Sequence, residues 1–206
     1  METINHYFPE LTERQREQFA KMFELYPQWN EKINVISRKD IDNLEVNHIL
    51  HSLSIVRYFS FEPGVKVLDL GTGGGFPALP LAVYYPDVSF HLVDRVGKKL
   101  RVAQDVADKL GLSNVTIQHG DVREVKGTFD YVVSRAVMPL NMMVPLVRKL
   151  VNSPIRRAFP AGIICLKGGD LADELRPFAG RVIVDELSAN FNEPFFVTKK
   201  IVYLPL

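Results

Sequence analysis

Val67-Leu68-Asp69-Leu70-Gly71-Thr72-Gly73-Gly74-Gly75-Phe76 reads as an apolar strand that runs directly into a glycine-rich turn. Glycine at alternate positions of that turn admits positive φ, and the missing Cβ lets a ligand approach the backbone. The helix expected next points its N-terminal N–H groups at whatever occupies the turn. A nucleotide-like ligand follows, and the flanking residues limit which one. The dinucleotide fingerprint places glycine at the sixth position of G-x-G-x-x-G, where this chain has Phe76. That glycine serves close helix approach at a pyrophosphate, so a bulky aromatic argues against a dinucleotide. A Lys-Ser/Thr pair opening the helix is also missing, which removes the P-loop.

The 206 residues fit one domain, or one domain with an appendage. A formal net charge of +1 neither requires nor excludes a nucleic-acid partner, since a local basic patch suffices. The single Cys165 rules out an intramolecular disulfide framework and a cysteine-rich zinc site, and no metal is expected. Its setting in Gly162-Ile163-Ile164-Cys165-Leu166-Lys167 reads as a buried strand, so packing is favoured over nucleophilic chemistry. The N-terminus lacks the basic and apolar regions of a signal peptide, and no stretch reaches membrane-spanning length. The expected location is cytoplasmic.

Residues 1–62 read as a helical extension and 63–206 as the main domain. Thr12-Glu13-Arg14-Gln15 has the capping-box pattern, and Phe19, Met22, Phe23, Tyr26 and Trp29 recur at helical spacing. Pro27 is expected to kink or end that helix before its periodicity does. Val46, Ile49, Leu50, Leu53 and Val56 mark a second helix over about 43–60. From Val65 strands alternate with helices. Strands are expected at 66–70, 89–93, 115–118, 129–134 and 162–166, with helices at 77–85, 97–110 and 138–151. Two β-rich runs, 182–187 and 196–204, close the chain as a hairpin. The alternation implies an α/β fold with a doubly wound, mostly parallel sheet, and the hairpin adds one antiparallel strand.

Ligands of such sheets sit outside the carboxyl ends of the strands, beside the switch point. Four features fall there: the turn with Gly71, Gly73 and Phe76; Asp94 ending the second strand; Asp121-Val122-Arg123 after the third; and Ser134-Arg135 ending the fourth. The acidic-x-G-x-G-x-G turn is that of S-adenosylmethionine (SAM) methyltransferases, in which Asp94 could accept both ribose hydroxyls and Val122-Arg123 could meet an adenine edge. Taken singly, Asp94 is a turn former and Arg123 a solvated charge; four in order are hard to obtain from packing alone. The chemistry is narrowed by elimination. Cys165 is poorly placed to activate a pyrimidine, and Ser134-Arg135-Ala136-Val137 replaces the Asn/Asp-Pro-Pro-aromatic loop of exocyclic-amine methylation. A ring nitrogen such as purine N7 has a free lone pair and needs positioning rather than deprotonation.

Residues 68–77, 92–99, 129–137 and 166–169, with Trp29-Asn30-Glu31-Lys32-Ile33-Asn34-Val35-Ile36-Ser37, resemble the glucose-inhibited division protein B family over nearly the whole chain. The resemblance implies a class I, Rossmann-like SAM-dependent methyltransferase that forms 7-methylguanosine in 16S ribosomal RNA. It implies SAM contacts at Gly71, Phe76, Val122, Arg123 and Arg135. The family often has a basic residue before its His and Asp-Ser-Leu after it, positions held here by Asn47 and His51.

On the substrate side, Asn34, Arg38, Lys39 and His48 are RNA-facing candidates, beside a plainer reading as solvated loop and satisfied polar residues. Arg135 and Lys167, at predicted strand ends beside the cofactor, are better placed to position substrate. Arg95, Lys98, Lys99 and Arg101 read equally as an RNA patch or a solvated helix face. Two functions stay open: a monomeric rRNA guanine-N7 methyltransferase acting on the small subunit or its precursor, and a small-molecule methyltransferase or methyltransferase-like binding module in ribosome assembly.

Overall fold

A computed structural model describes residues 1–152 and 158–206 of the chain. Seven strands form one sheet: β1 (Lys66–Leu70), β2 (Ser89–Asp94), β3 (Val115–His119), β4 (Tyr131–Arg135), β5 (Gly162–Gly168), β6 (Ile183–Glu186) and β7 (Lys199–Pro205). Their order is β3-β2-β1-β4-β5-β7-β6. The first five pair in parallel, while β7 lies between β5 and β6 and runs antiparallel to both. The expected doubly wound sheet with one antiparallel strand is therefore what forms. Val67–Leu70 and Tyr131–Ser134 are continuously buried, as central strands covered on both faces must be. The strand order reverses between β1 and β4, which opens a crevice at their carboxyl ends.

Before the sheet come α1 (Glu2–Tyr7) and α2 (Glu13–Asn30). The capping box at α2 is made: Gln15 Oε1 accepts the Thr12 N–H at 2.9 Å, and Thr12 Oγ1 accepts the Gln15 N–H at 3.3 Å. Pro27 does not end this helix, contrary to the sequence expectation. It lies in the last turn, where its missing N–H deprives only the Phe23 carbonyl, and the helix runs on to Asn30. Residues 43–60 also depart from the single amphipathic helix expected. A 3-10 turn (Ile41–Asn43) leads into a π-helical segment (Leu44–Leu50), then α3 (His51–Leu53) and a second 3-10 turn (Ser54–Arg57). An amphipathic helix hides one stripe, whereas every residue from His48 to Ile55 is buried. This segment is enclosed on all sides, and its apolar spacing recorded only one of them.

Helices α4 (Ala78–Tyr84), α5 (Gly97–Leu110), α6 (Leu140–Val147) and α7 (Ala172–Leu175) follow β1, β2, β4 and β5. The helix expected over 138–151 is thus shorter, and Val151 instead bridges Phe129 beside β4. Phe196, expected to open the last strand, sits in a 3-10 turn (Pro194–Thr198) because its ring is buried against Phe191, with centroids 4.7 Å apart. Ile4, Phe8, Phe19 and Tyr26 share one apolar core with Val67 and Phe90 of the sheet and Leu79 of α4. No helix among the described residues is long and apolar enough to cross a membrane.

Candidate functional site

The turn after β1 is braced by carboxylates from below and beside it. Asp69, fully buried, accepts the Thr72 hydroxyl at 2.6 Å and the Ala78 N–H at 3.0 Å through Oδ2. Its Oδ1 makes no hydrogen bond among the described residues, and burial pushes the carboxyl up to about 7. Asp94 Oδ2 accepts the Gly73 N–H at 2.8 Å while Oδ1 accepts the Val96 N–H at 2.8 Å. From the N-terminal side, Tyr26 donates its hydroxyl to the Gly74 carbonyl at 2.8 Å. Gly73 has φ +57, and a Cβ built there would point into space, with Lys99 Cδ its nearest neighbour at 3.9 Å. Gly75 has φ +105, and its Cβ would lie 2.4 Å from Leu79 Cδ1. The first glycine keeps a ligand's space free, and the second lets α4 pack.

The turn forms the floor of a cavity of about 540 Å³ that runs along the carboxyl ends of β1, β2 and β4. Gly71, Gly73, Phe76, Asp94, Val122 and Arg135 all line it. Val96 and Val122 give apolar walls suited to a planar ring, and Asp94 supplies the carboxylate. A nucleoside-sized group with a charged tail fits this donor and acceptor set. Arg123 stands apart: its exposed guanidinium is engaged by Asp121, with Nε 2.8 Å from Oδ1. Val35, Lys99 and Ala136 are also part of the wall. Lys99 was legible in the basic run after β2, whereas Val35 reaches the site only through tertiary packing.

A second cavity of about 430 Å³ shares Arg135 and Ala136 with the first. His48 and Lys167 line this one, joined by His51, which the family pattern had singled out, and by Asp40, Glu174, Phe195 and Lys199, which sequence reasoning missed. Asn34 and Arg38 are exposed and line neither cavity. Ala136 is the one non-glycine residue at positive φ among those described, at +52. Strained backbone of this kind collects at sites where geometry is imposed by function.

The partition between the cavities is held by a polar chain. Arg135 donates to the Asn47 carbonyl at 3.1 Å and to His48 Nδ1 at 2.9 Å. Because Nδ1 accepts, the His48 proton sits on Nε2, which donates to Asp40 Oδ2 at 2.6 Å. Asn47 donates its side-chain amide to the other Asp40 oxygen, also at 2.6 Å. Burial, and then the Arg135 charge, lower the His48 pKa to about 4, so the ring stays neutral and its tautomer fixed. Burial likewise lowers Arg135 to about 10, leaving it charged at neutral pH. Its guanidinium lies 5.1 Å from the Phe76 ring, which packs on Tyr26 at 4.7 Å. Lys167 donates to the Met138 carbonyl at 3.1 Å and pairs with Glu174 Oε1 at 2.7 Å, and that oxygen also accepts the Leu140 N–H at 2.8 Å. Cys165 is buried within β5 with Sγ 3.7 Å from Met143 Sδ, and burial pushes its thiol up to about 12. It is a packing residue, as its strand setting implied.

Comparison with known proteins extends this picture. Residues 15–199 match the GidB family model, described as rRNA small subunit methyltransferase G. The chain is 55% identical over 203 residues to the ribosomal RNA small subunit methyltransferase G of Bacteroides thetaiotaomicron, covering 98% of each. It is 54% identical over 206 residues to that of Porphyromonas gingivalis, covering 100% of this chain and 93% of the relative. Among solved structures it resembles a SAM-dependent methyltransferase from Aquifex aeolicus, with TM-score 0.57, 19% identity and 82% and 98% of the two chains covered. It also resembles the magnesium protoporphyrin IX methyltransferase of Synechocystis with bound SAM, with TM-score 0.61, 15% identity and 95% and 98% covered. At those identities the structures speak for the class I methyltransferase fold alone.

Proposed function

The chain belongs to the rRNA small subunit methyltransferase G family, and from that premise we propose that it transfers a methyl group from SAM to N7 of a guanine in 16S rRNA. When bound, SAM supplies a methyl group activated by its sulfonium. The residues of the larger cavity suit that cofactor: Gly73 leaves the floor open, Asp94 offers a carboxylate, and Val96 and Val122 flank a planar ring. The two cavities meeting at the Arg135–Ala136 partition carry the reading, because the methyl acceptor must reach the cofactor from the opposite side.

The protein groups at that partition are positioned rather than titrating. Both nitrogens of His48 are committed, one to Asp40 and one to Arg135, so the ring has no lone pair to offer as a base. Purine N7 needs none, since its lone pair attacks without loss of a proton from that nitrogen. Catalysis then rests on orientation, for which a rigid Asp40–His48–Arg135 chain is suited. The buried Cys165 thiol speaks against the covalent route used for pyrimidine carbons. We read residues 1–62 as an extension whose Tyr26 and His48 complete the site of the 63–206 unit.

The test is transfer of labelled methyl from SAM to 16S rRNA, as naked RNA and in the small subunit, followed by nucleoside analysis. Label in 7-methylguanosine is expected; label in another nucleoside, or none, overturns the proposal.

A further inference from the structure

The Lys167–Glu174 pair lies in the smaller cavity with an unusual degree of support for an ion pair at a cavity wall. Their side chains are only 10% and 19% exposed, and their charged atoms are 2.7 Å apart. Two backbone groups hold them: the Met138 carbonyl accepts from Lys167, and the Leu140 N–H donates to Glu174. Met138 itself lines the larger cavity, so Lys167 stands between the cofactor side and Glu174. In the sheet register Arg135 lies opposite Leu166, so Lys167 follows directly beside the partition, and Glu174 reaches Lys167 from α7.

Guanine presents the complementary order. Along its edge, N7 of the five-membered ring is followed by O6, an acceptor, and then by N1–H and the N2 amine of the six-membered ring, both donors. Enzymes that act on a base take it out of the stack and read its Watson–Crick edge by hydrogen bonds. Resting on the reading of this chain as an rRNA guanine methyltransferase, we propose that the Lys167–Glu174 pair selects guanine. Lys167 donates to O6, and Glu174 Oε2 accepts from N1–H and the N2 amine. That register turns N7 toward the Arg135–Ala136 partition. Glu174 Oε1 is spent on Lys167 and Leu140, which leaves Oε2 for the base. Phe195 lines the same cavity with Lys199, whose Nζ lies 4.6 Å from its ring centroid, so an aromatic ring and a further cation border the purine. Adenine, with an amine where guanine has O6 and a bare N1, puts donor against cation and acceptor against carboxylate.

The test uses the full chain, SAM, and small-subunit rRNA ligated with guanosine or inosine at the methylated position. Inosine keeps O6 and N1–H and lacks only the N2 amine. Wild type is expected to lose about 10- to 100-fold in kcat/KM on inosine, the worth of a hydrogen bond to a charged group. Glu174→Ala should lose about as much on guanosine, with the guanosine-to-inosine ratio falling toward one and SAM affinity by calorimetry unchanged. Glu174→Gln, which keeps the shape and the Leu140 contact, should fall between. Equal wild-type rates on the two RNAs, or a ratio unmoved by Glu174→Ala, overturns the assignment. If wild type methylates neither RNA, the rRNA reading itself falls and takes this one with it. The wild-type comparison needs no variant, and equal rates on the two RNAs overturn the assignment even should both substitutions unfold the chain.

Discussion

Gly73→Asp separates ligand space from fold more cleanly than any other change in the site. The backbone there has φ +57, and an added Cβ meets nothing closer than Lys99 Cδ at 3.9 Å. The fold therefore bears only the left-handed conformation, about 1–2 kcal/mol for a side chain with a Cβ and less for Asp. For a chain of this size that lowers Tm by about 2–8 °C. The introduced carboxylate enters the cavity beside Asp94, whose Oδ2 holds the Gly73 N–H at 2.8 Å. It takes the ligand's space, so SAM affinity should fall by more than about 100-fold, or about 2.7 kcal/mol. Gly75→Ala is the control. Its Cβ would lie 2.4 Å from Leu79 Cδ1 at φ +105, which adds about 1–3 kcal/mol of overpacking to the backbone cost. Calorimetry with SAM and thermal denaturation read both terms. Wild-type SAM affinity in Gly73→Asp refutes the assignment of the turn as cofactor floor; a larger Tm loss in Gly73→Asp than in Gly75→Ala refutes the packing argument.

Tyr26→Phe strips the Gly74 carbonyl of its buried donor and should cost about 1–2 kcal/mol of stability, together with weaker SAM binding, as checked by denaturant titration and calorimetry. Arg135→Met leaves His48 Nδ1 and the Asn47 carbonyl without their donor; methyl transfer should drop by about 100-fold or more, against a SAM affinity within about tenfold, and equal losses in both count against a substrate-side role. The pH dependence has two opposed parts. His48 is held at about 4 in the fold against 6.5 unfolded, so the unfolded chain takes up the proton first. Its contribution, on the order of 3 kcal/mol, is complete above pH 6.5 and is lost as pH falls toward 4. Asp69, raised from 3.8 to about 7, runs the other way: its contribution is present below pH 3.8 and is lost as pH rises to about 7. Wild type should therefore lose stability relative to Asp69→Asn between pH 4 and 7, and a constant difference across that range rules this out.

The glycine turn, the strand–helix alternation and the closing antiparallel strand were legible because each is written in local spacing. Gly71, Gly73, Phe76, Asp94, Val122 and Arg135 were legible for a related reason: strand ends converge on one crevice in this topology. Arg123 shows the limit of that logic, since Asp121 two residues earlier draws its guanidinium out of the cavity wall. The 43–60 segment, read from sequence as one amphipathic helix, is buried at every residue from His48 to Ile55, a condition that periodicity of apolar residues alone does not express. Asp40 and Glu174 carry no local signature at all. Asp40 matters through His48, and Glu174 through Lys167 on a different element, so both required the fold to be assembled first.

Nucleoside mass spectrometry of 16S rRNA, from cells deleted for this gene and cells complemented with wild type or Arg135→Met, tests the central claim most directly. One 7-methylguanosine should vanish on deletion, return with wild type, and stay absent or sharply reduced with Arg135→Met. A full complement of 7-methylguanosine in the deleted cells contradicts it.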